Sequence, residues 1–349
     1  MTLPRLEDDL SAEVCVVGLG GSGLSAVTRL LELGADVIGI DAGAVAGGAA
    51  GRNGGLLLGG TAAFHHDAVA SLGAEVAGAW YRATLSEVDR MLEETPEAAR
   101  RTGSLRIATD ESEAPDCDAQ LAAMRQAGLP AEPYAGAEGR GLHFPLDAVY
   151  NPLHRCTLLA GRAVAGGARL FAFSPVTHVR AGMVRTARGS VSCSRVIVAV
   201  DGLLARLLPE FEGDVRPLRL QMLATGPLAP RWPMPVYARH GFEYWQQLQD
   251  GRVALGGFRD RGGDAEWTED ATPDSAVQNL LTDFLRETLG VLEPVTHRWA
   301  ATVGYRQAIL PVHEEARPGV FALGGYNGTG NVIGSMLGRR AADWAVTRG

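Results

Sequence analysis

The chain has 349 residues, and its 32 basic residues are all arginine, because the sequence contains no lysine. The missing lysine excludes pyridoxal phosphate enzymes and Schiff-base aldolases, which need a lysine amine, and P-loop nucleotide hydrolases, which need the lysine of their phosphate loop. A net charge of −8 argues against a nucleic-acid-binding protein, because neutralising phosphates requires a basic surface.

The length favours two domains, since one hydrophobic core rarely grows beyond about 250–300 residues. Residues 1–13 include Glu7, Asp8 and Asp9 and no apolar stretch, so we expect no signal peptide, and no run of residues is apolar enough for a membrane span. The cysteines are far apart and fit no metal-ligand spacing, so we expect reduced thiols, no metal site and a cytoplasmic protein. They are Cys15, Cys117, Cys156 and Cys193.

The first elements form a βαβ unit. Residues 13–17 are a short apolar run typical of a buried strand, and the apolar spacing from Leu24 to Leu33 predicts a helix that Gly34 ends. Residues 36–40 predict a second strand, which Asp41 closes.

The remaining elements alternate in type. The pattern predicts an irregular Gly/Ala-rich segment at 42–60, a helix at 66–101, a strand at 105–109, a helix at 116–128, a loop at 139–152, a helix at 153–166, and strands at 169–173, 176–180 and 191–200. It then predicts antiparallel strands at 218–225, 236–238, 242–248 and 252–257, a helix at 273–289, a strand at 320–323 and a helix at 331–346. Helix–strand alternation at both ends and a strand-rich middle predict an α/β fold (α+β overall). In this predicted fold, a Rossmann-type domain is interrupted by an antiparallel-sheet domain.

Gly18, Gly20 and Gly23 spell G-x-G-x-x-G between the first strand and the first helix. The first glycine permits the tight turn, the second lets the backbone approach a pyrophosphate, and the third allows the helix to pack closely on the strand. Asp41, 18 residues after Gly23, is placed to accept hydrogen bonds from ribose hydroxyls and disfavours a 2′-phosphate. The motif therefore predicts a dinucleotide site, and it does not distinguish FAD from NAD.

Residues 321–331 combine a strand, a glycine-rich loop and the start of a helix. Loop glycines let backbone amides contact a flat ligand, and the N-terminus of a helix directs positive potential toward it. A reduced flavin carries negative charge around N1 and O2, which this arrangement would stabilise. The alternative is a glycine-rich connector of the kind found in any α/β protein.

Together these motifs resemble the FAD-dependent oxidoreductases of the D-amino acid oxidase type, in the branch of glycine oxidase, sarcosine oxidase and gamma-glutamylputrescine oxidase-like proteins. The resemblance covers nearly the whole chain. It rests on residues 16–23 with Asp41, 51–55, 196–202, 253–257 with Arg259, Trp299 with Pro311, and 324–330. It implies an FAD-binding domain of residues 1–100, 150–215 and 300–349, and a substrate domain of residues 101–149 and 216–299. Since no cysteine lies near Thr302 or Val303, where some relatives attach flavin, we expect non-covalent FAD.

The resemblance also implies which residues bind FAD. For the pyrophosphate and ribose these are Gly18, Gly20, Gly21, Ser22, Gly23, Asp41, Ala42, Ala199 and Gly202, and for adenine Val176 through its backbone. Beside the isoalloxazine we expect Gly51, Arg52, Asn53, Gly54 and Gly55. At its pyrimidine edge and in the adjoining loop we expect Gly325, Asn327, Gly328, Thr329, Gly330 and Asn331.

The implied chemistry is oxidation of the C–N bond of a small amine or amino acid. A hydride passes from carbon to flavin N5, and the resulting imine is hydrolysed. Three residues are candidates for contacting the substrate. Arg306 is a possible carboxylate clamp, with a salt bridge as the alternative; strand alternation places either Tyr244 or Trp245 toward the substrate; and His65 follows the flavin loop, with a structural role as the alternative.

The chain departs from the family pattern at several positions. Val303 replaces a frequent arginine, Ala308 replaces an aspartate, and His313 follows Pro311 where a glycine is usual. The lysine that helps oxygen react in some relatives has no counterpart. An oxidase that uses molecular oxygen is favoured. A dehydrogenase with another electron acceptor, a 2-hydroxy acid oxidase and a flavin-binding protein without catalysis remain alternatives.

Overall fold

The computed structural model describes residues 2–109 and 112–347, which fall into two compact units. The first unit comprises Met1–Arg52, Asn151–Pro217 and Val303–Gly349, and the second comprises Asn53–Tyr150 and Leu218–Thr302. The predicted boundaries differ from this division mainly at residues 53–100, which belong to the second unit. The reason is packing, since Leu56, Tyr81 and Leu85 share a hydrophobic cluster with Leu121 and Phe144 of that unit.

The elements follow one another in this order. The chain begins with β1 (Asp9–Val17), α1 (Gly21–Glu32), β2 (Val37–Ile40), α2 (Ala49–Arg52), β3 (Leu56–Leu57), α3 (His65–Leu72), α4 (Ala74–Glu94), β4 (Ala99–Arg101), β5 (Ser104–Ala108), α5 (Glu113–Gln126), β6 (Glu132–Gly136), β7 (Gly139–Phe144), β8 (Ala148–Tyr150) and α6 (Pro152–Ala165). It continues with β9 (Arg169–Phe171), β10 (Val176–Arg180), β11 (Met183–Thr186), β12 (Ser190–Val198), α7 (Leu204–Leu207), β13 (Arg216–Thr225), β14 (Val236–Ala238), β15 (Glu243–Gln247), β16 (Val253–Gly256), α8 (Ser275–Asp283), β17 (Val295–Tyr305), β18 (Val312–Arg317), β19 (Val320–Gly324) and α9 (Gly330–Thr347).

The first unit is built on a sheet of order β10-β11-β12-β1-β2-β9, with β19 pairing with both β12 and β18. Strand β1 is parallel to β2 and to β12, so that Val17 pairs with Ile40 on one side and Val198 on the other. Helices α1 and α9 pack against each other, and Ser25 and Ser335 share a hydrogen bond of 2.8 Å between their hydroxyls. This arrangement confirms the predicted Rossmann-type fold.

The second unit is built on a sheet of order β17-β13-β16-β15-β14-β5-β7-β6. Strands β13 and β16, β14 and β15, β15 and β16, β5 and β7, and β6 and β7 pair in antiparallel fashion, and β5 pairs with β14 in parallel. Trp245 lies on one face of this sheet, where its ring packs edge-on against Phe284 at a centroid distance of 5.8 Å. This sheet confirms the predicted antiparallel-sheet domain that interrupts the Rossmann-type domain.

Several elements differ from their prediction. The helix expected at 66–101 is broken at Gly73, whose φ of +82° cannot continue a helix, and it ends at Glu94. The loop expected at 139–152 is wrong, because β7 and β8 lie there. In β7, a Cβ on Gly141 would lie 1.8 Å from the carbonyl oxygen of Arg106, so this glycine marks a close approach of two strands instead of a turn. The sequence does not predict strands β3, β4, β6, β11, β17 and β18. In the described part of the chain, no helix combines the length and apolarity needed to cross a membrane.

Candidate cofactor site

The turn between β1 and α1 is built by glycines that admit no side chain. Gly18 has a φ of +99°, and a Cβ there would lie 2.4 Å from the carbonyl oxygen of Ala199. A Cβ on Gly23 would lie 1.8 Å from the carbonyl oxygen of Gly18. These distances explain the first and third glycines of the motif, since a larger residue would force the strand and the helix apart.

The N-terminus of α1 is open to a ligand. Its N-cap, Gly20, has an extended backbone and makes no side-chain hydrogen bond to the first turn, whose amides have no acceptors within the helix. A Cβ on Gly21 would meet nothing within 4 Å, so there is space outside this turn. Ser22 is buried, and its hydroxyl shares a 2.8 Å hydrogen bond with the Tyr326 hydroxyl, which leaves only its backbone amide for a ligand. The geometry is that of an anion site.

Asp41 holds its carboxylate beside this turn. Its Oδ2 accepts the amide of Leu19 at 2.7 Å and its Oδ1 accepts the amide of Gly43 at 2.8 Å. Burial raises the pKa of this carboxyl, while these two amides act in the opposite direction. Each carboxylate oxygen keeps a further lone pair, so the group can still accept bonds from ribose hydroxyls. Ala42 lies between Asp41 and Gly43 on the same segment.

The segment after β9 runs past Asp41. Phe173 donates its amide to the carbonyl of Gly43 at 2.9 Å, and Ser174 donates to the carbonyl of Asp41 at 2.9 Å. Val176 begins β10 two residues later, at the edge of the sheet. The predicted adenine contact therefore lies close in the chain to a segment that is bonded to the predicted ribose site.

Asp201 organises the neighbouring loops, and the sequence analysis gave it no role. It follows β12 with a φ of +48° and accepts the amide of Gly304 at 2.8 Å and that of Gly325 at 2.9 Å. A Cβ on the adjacent Gly202 would lie 2.8 Å from the carbonyl oxygen of Val303, so the chain segments meet closely here. The sequence feature that could have indicated this role is the position of Asp201, an acidic residue that directly follows a predicted buried strand.

The loop between β19 and α9 is fixed by its own polar side chains. Asn327 accepts the amide of Arg306 at 2.7 Å and donates to the carbonyl of Ala308 at 2.9 Å. The Thr329 hydroxyl donates to the carbonyl of Tyr326 at 2.8 Å. Two of the residues predicted to bind FAD therefore use their side chains to fix the loop, Asn327 to the segment after β17 and Thr329 to the loop itself. Gly325 and Gly328 have positive φ, and α9 starts at Gly330, followed by Asn331.

The predicted isoalloxazine segment is divided between the units. Gly51 and Arg52 end α2 in the first unit, where a Cβ on Gly20 would lie 3.1 Å from the Cβ of Ala50. Helix α2 thus contacts the glycine turn. Asn53, Gly54 and Gly55 begin the second unit, in which the Asn53 Oδ1 accepts the amide of Gly55 at 2.9 Å.

Comparison with known proteins gives the family. The sequence profile of the FAD dependent oxidoreductases, named DAO, matches residues 13–344. The chain belongs to the FAD dependent oxidoreductase family. The predicted resemblance and FAD as the cofactor are thereby confirmed.

Curated relatives of this FAD dependent oxidoreductase cover most of its length. The probable oxidoreductase OrdL of Rhizobium meliloti (strain 1021) is 25% identical, and the match covers 98% of this chain and 85% of the relative. The gamma-glutamylputrescine oxidoreductase of Escherichia coli (strain K12) is 26% identical, with 97% and 84% covered.

Solved structures share the fold at lower identity. The glycine oxidase of Geobacillus kaustophilus has a TM-score of 0.80 at 18% identity, and the match covers 96% of this chain and 95% of that one. The L-proline dehydrogenase of P. horikoshii has a TM-score of 0.81 at 17% identity, with 97% and 94% covered. An oxidase and a dehydrogenase are thus similar to this chain to about the same degree, so the fold does not decide between the two activities.

The first unit fits FAD. The open N-terminus of α1 suits a pyrophosphate, the fixed carboxylate of Asp41 suits a ribose, and the glycines leave the backbone accessible. These features lie at the carboxyl ends of parallel strands, where open α/β sheets bind their ligands.

Arg306 lies in the first unit as part of a salt bridge. Its Nη2 donates to the carboxylate of Asp214 at 2.7 Å, and its Nη1 donates to the carbonyl of Leu310 at 3.3 Å. The Arg306 side chain also packs closely on Gly325, since a Cβ placed on this glycine would lie 3.0 Å from the Arg306 Cδ. The arrangement favours the salt bridge, which was the alternative to a carboxylate clamp.

Tyr244 and His65 both belong to the second unit. Tyr244 lies on the face opposite to Trp245, and its ring atoms would lie 3.0 Å from a Cβ on Gly54 and 2.6 Å from one on Gly256. His65 starts α3 and is 3% exposed, and its Nε2 has no hydrogen-bond partner. Burial lowers the pKa of this imidazole, and the charges of His66 and Arg82 act in the same direction. His66, by contrast, bonds Asp116 at 2.9 Å.

Proposed function

We propose that this protein oxidises the C–N bond of a small amine or amino acid to an imine, which water then hydrolyses. FAD, when bound, accepts the hydride at flavin N5. Support comes from the names of the proteins that resemble this chain, which refer to gamma-glutamylputrescine, glycine and L-proline. All three are compounds with an oxidisable C–N bond.

The geometry at the carboxyl edge of the first sheet carries the proposal. The amides of the first turn of α1 bind the pyrophosphate, and Asp41 binds the adenosine ribose. The loop at 325–331 and the start of α9 would hold the pyrimidine edge of the flavin, where their backbone amides and positive potential would stabilise the negative charge of the reduced group. Since no cysteine lies near Thr302 or Val303, where some relatives attach flavin, FAD is held without a covalent bond in this proposal.

The second unit supplies the substrate contacts in this proposal. Tyr244 offers a phenol on a sheet face that carries small residues beside it, including Gly256. Gln246, two residues further along the same strand, donates to the carbonyl of Gly54 and fixes the segment that follows Arg52. The contribution of these groups is orientation, because hydride transfer from a neutral amine needs no strong base at carbon.

The electron acceptor is oxygen in the leading proposal. The lack of lysine favours a second candidate, a dehydrogenase that passes electrons to another acceptor, since the cation that promotes the oxygen reaction in some relatives is missing. Stopped-flow mixing of the reduced protein with air separates the two, because an oxidase reoxidises rapidly and a dehydrogenase does not.

Anaerobic flavin bleaching tests the proposal without assuming an acceptor. Protein purified without added cofactor is expected to be yellow, to release FAD on acid precipitation and to bleach with at least one amine of a broad panel. Bleaching by 2-hydroxy acids alone would assign a different substrate class. A yellow protein that no amine or hydroxy acid reduces would support a flavin-binding protein without catalysis.

A further inference from the structure

Phe173 is an aromatic side chain that the fold leaves half exposed at the carboxyl edge of the first sheet. It lies two residues after the end of β9, the strand that neighbours β2, and its exposed fraction is 50%. Because β2 and β9 run parallel, with Ile40 paired to Phe171, the residues that follow them lie at the same edge of the sheet. Phe173 therefore lies beside Asp41, which follows β2.

Hydrogen bonds fasten Phe173 to the segment that we assign to the adenosine ribose. Its amide donates to the carbonyl of Gly43 at 2.9 Å, and the amide of Gly43 donates to Asp41 Oδ1 at 2.8 Å. On the other side of Phe173, the amide of Ser174 donates to the carbonyl of Asp41 at 2.9 Å. These bonds hold the Phe173 backbone against the Asp41 segment, so its ring is within reach of a base whose ribose is bound by Asp41.

The backbone of Phe173 is strained. Its φ of +50° lies in the left-handed region, which bulky side chains rarely adopt and which glycine or asparagine adopts at lower cost. Strained residues persist where the surrounding bonds enforce them, and they cluster at ligand sites. A benzyl side chain that is both strained and half exposed contributes little to the core of the unit, which indicates a contact with a ligand.

The surface around Phe173 is apolar and open. Ala42, next to Asp41, and Pro175 are exposed as well. Among the described residues, a Cβ on Gly43 would meet only one atom within 4 Å, Asp41 Oδ1 at 3.9 Å, so there is space beside this segment. An aromatic ring and small apolar side chains beside a ribose-binding carboxylate suit the flat purine of a nucleoside, because every base has a face that can stack on an aromatic ring.

We propose that Phe173 binds FAD by stacking on its adenine ring, in addition to the backbone contact implied for Val176. The inference rests on the proposed function only through the assignment of the adenosine ribose to Asp41, and it is independent of the substrate and of the electron acceptor. The contact contributes affinity. It also favours FAD over flavin mononucleotide, which lacks the adenosine half.

The test is the Kd of FAD for the full-length apoprotein, measured by titration. Phe173→Leu keeps an apolar side chain and the same backbone strain but removes the aromatic ring, and it is expected to raise the Kd about 10- to 100-fold. Phe173→Tyr keeps the ring and should stay within about twofold of the wild type. Leu292→Ala, at an apolar residue that is 83% exposed in the second unit, is the matched control and should leave the Kd unchanged. A Phe173→Leu variant that binds FAD like this control would overturn the proposal.

Competition by ADP locates the effect on the adenosine half of the cofactor. ADP contains the adenine but no flavin, so Phe173→Leu should weaken ADP and FAD by a similar factor. A variant that loses affinity for FAD but binds ADP like the wild type would overturn the stacking, because the loss would then arise elsewhere on the cofactor.

Phe173→Asn separates the ligand contact from an effect on folding. Asparagine adopts left-handed conformations readily, so the apoprotein of this variant should resist urea at least as well as the wild type. Its Kd for FAD should nevertheless rise as in Phe173→Leu, and an unchanged Kd would overturn the proposal.

Asp41→Asn distinguishes a failure of the stacking from a failure of the assigned site. This variant should also weaken FAD binding, because it removes the charge that attracts the ribose hydroxyls. If it binds FAD like the wild type, the assignment of the ribose to Asp41 fails and the inference fails with it. If Asp41→Asn weakens FAD binding and Phe173→Leu does not, only the stacking fails.

Discussion

Asp201 Oδ1 accepts the backbone amide of Gly325 at 2.9 Å, and through this bond the end of β12 holds the glycine-rich loop that precedes α9. The other carboxylate oxygen accepts the amide of Gly304 at 2.8 Å, next to the end of β17. One side chain therefore joins three segments that are far apart in sequence. The loop that we assign to the flavin depends on this junction.

Replacing Asp201 by alanine should weaken both the fold and FAD binding. The change leaves the amides of Gly304 and Gly325 without their acceptor, which costs roughly 2–4 kcal/mol of unfolding free energy. Urea unfolding and FAD titration of the apoprotein measure the two effects. Asp8→Ala, at an exposed acid, is the control and should change neither; an Asp201→Ala variant that behaves like this control would contradict the assigned role.

Gly23→Ala should abolish the dinucleotide turn. The added Cβ would lie 1.8 Å from the carbonyl oxygen of Gly18, and this backbone atom cannot move aside without separating β1 from α1. We expect loss of FAD and several kcal/mol of destabilisation. Gly161→Ala in α6 is the matched control, because a Cβ there meets nothing within 4 Å, and it should stabilise by about 0.5–1 kcal/mol. Yellow, stable Gly23→Ala protein would refute the close packing.

Local steric rules made the glycine turn predictable. Contacts between residues that are far apart in sequence could not be predicted in this way. The roles of Gly18 and Gly23 follow from their spacing between a strand and a helix, and Asp41 follows from its place after the second strand. The hydrogen bond between Ser22 and Tyr326 joins residues 304 positions apart, and no local sequence pattern predicts it. Pro145 and Pro152 predict a loop at 139–152, whereas β7 forms there because it pairs with β5, in which Arg106 lies opposite Leu142.

Arg306 and Asp214 should behave as a structural pair. Because Asp214 is partly exposed, the pair is worth at most about 1 kcal/mol, measured as the coupling energy of the cycle Arg306→Met, Asp214→Asn and the double variant. Loss of Arg306 should change KM by a similar factor for amines with and without a carboxylate. A selective rise in KM for carboxylate-bearing amines, with no coupling to Asp214, would instead restore the clamp predicted from sequence.

Asp147 should make stability depend on pH in a defined direction. Its carboxyl keeps a proton up to about pH 7 in the folded protein but ionises near its ordinary value of 3.8 once unfolded. The folded state thus binds more protons in this window, so its contribution to the unfolding free energy falls as pH rises from about 4 to 7, by at most about 1.4 kcal/mol per pH unit.

Urea unfolding at several pH values compares the wild type with Asp147→Asn, which lacks this titration. The stability of the variant relative to the wild type should increase across the window, while Asp8→Asn should run parallel to the wild type. Parallel curves for Asp147→Asn would show that the folded carboxyl is not perturbed.

The stoichiometry of a single anaerobic turnover tests the central claim most directly. An amine that bleaches the flavin is mixed with the holoprotein in the absence of any acceptor, and the carbonyl compound released by imine hydrolysis is quantified against the FAD reduced. C–N oxidation predicts one carbonyl product, and one ammonia or amine, for each FAD. Bleaching without a carbonyl product, or no bleaching by any amine in protein that holds FAD, would contradict it.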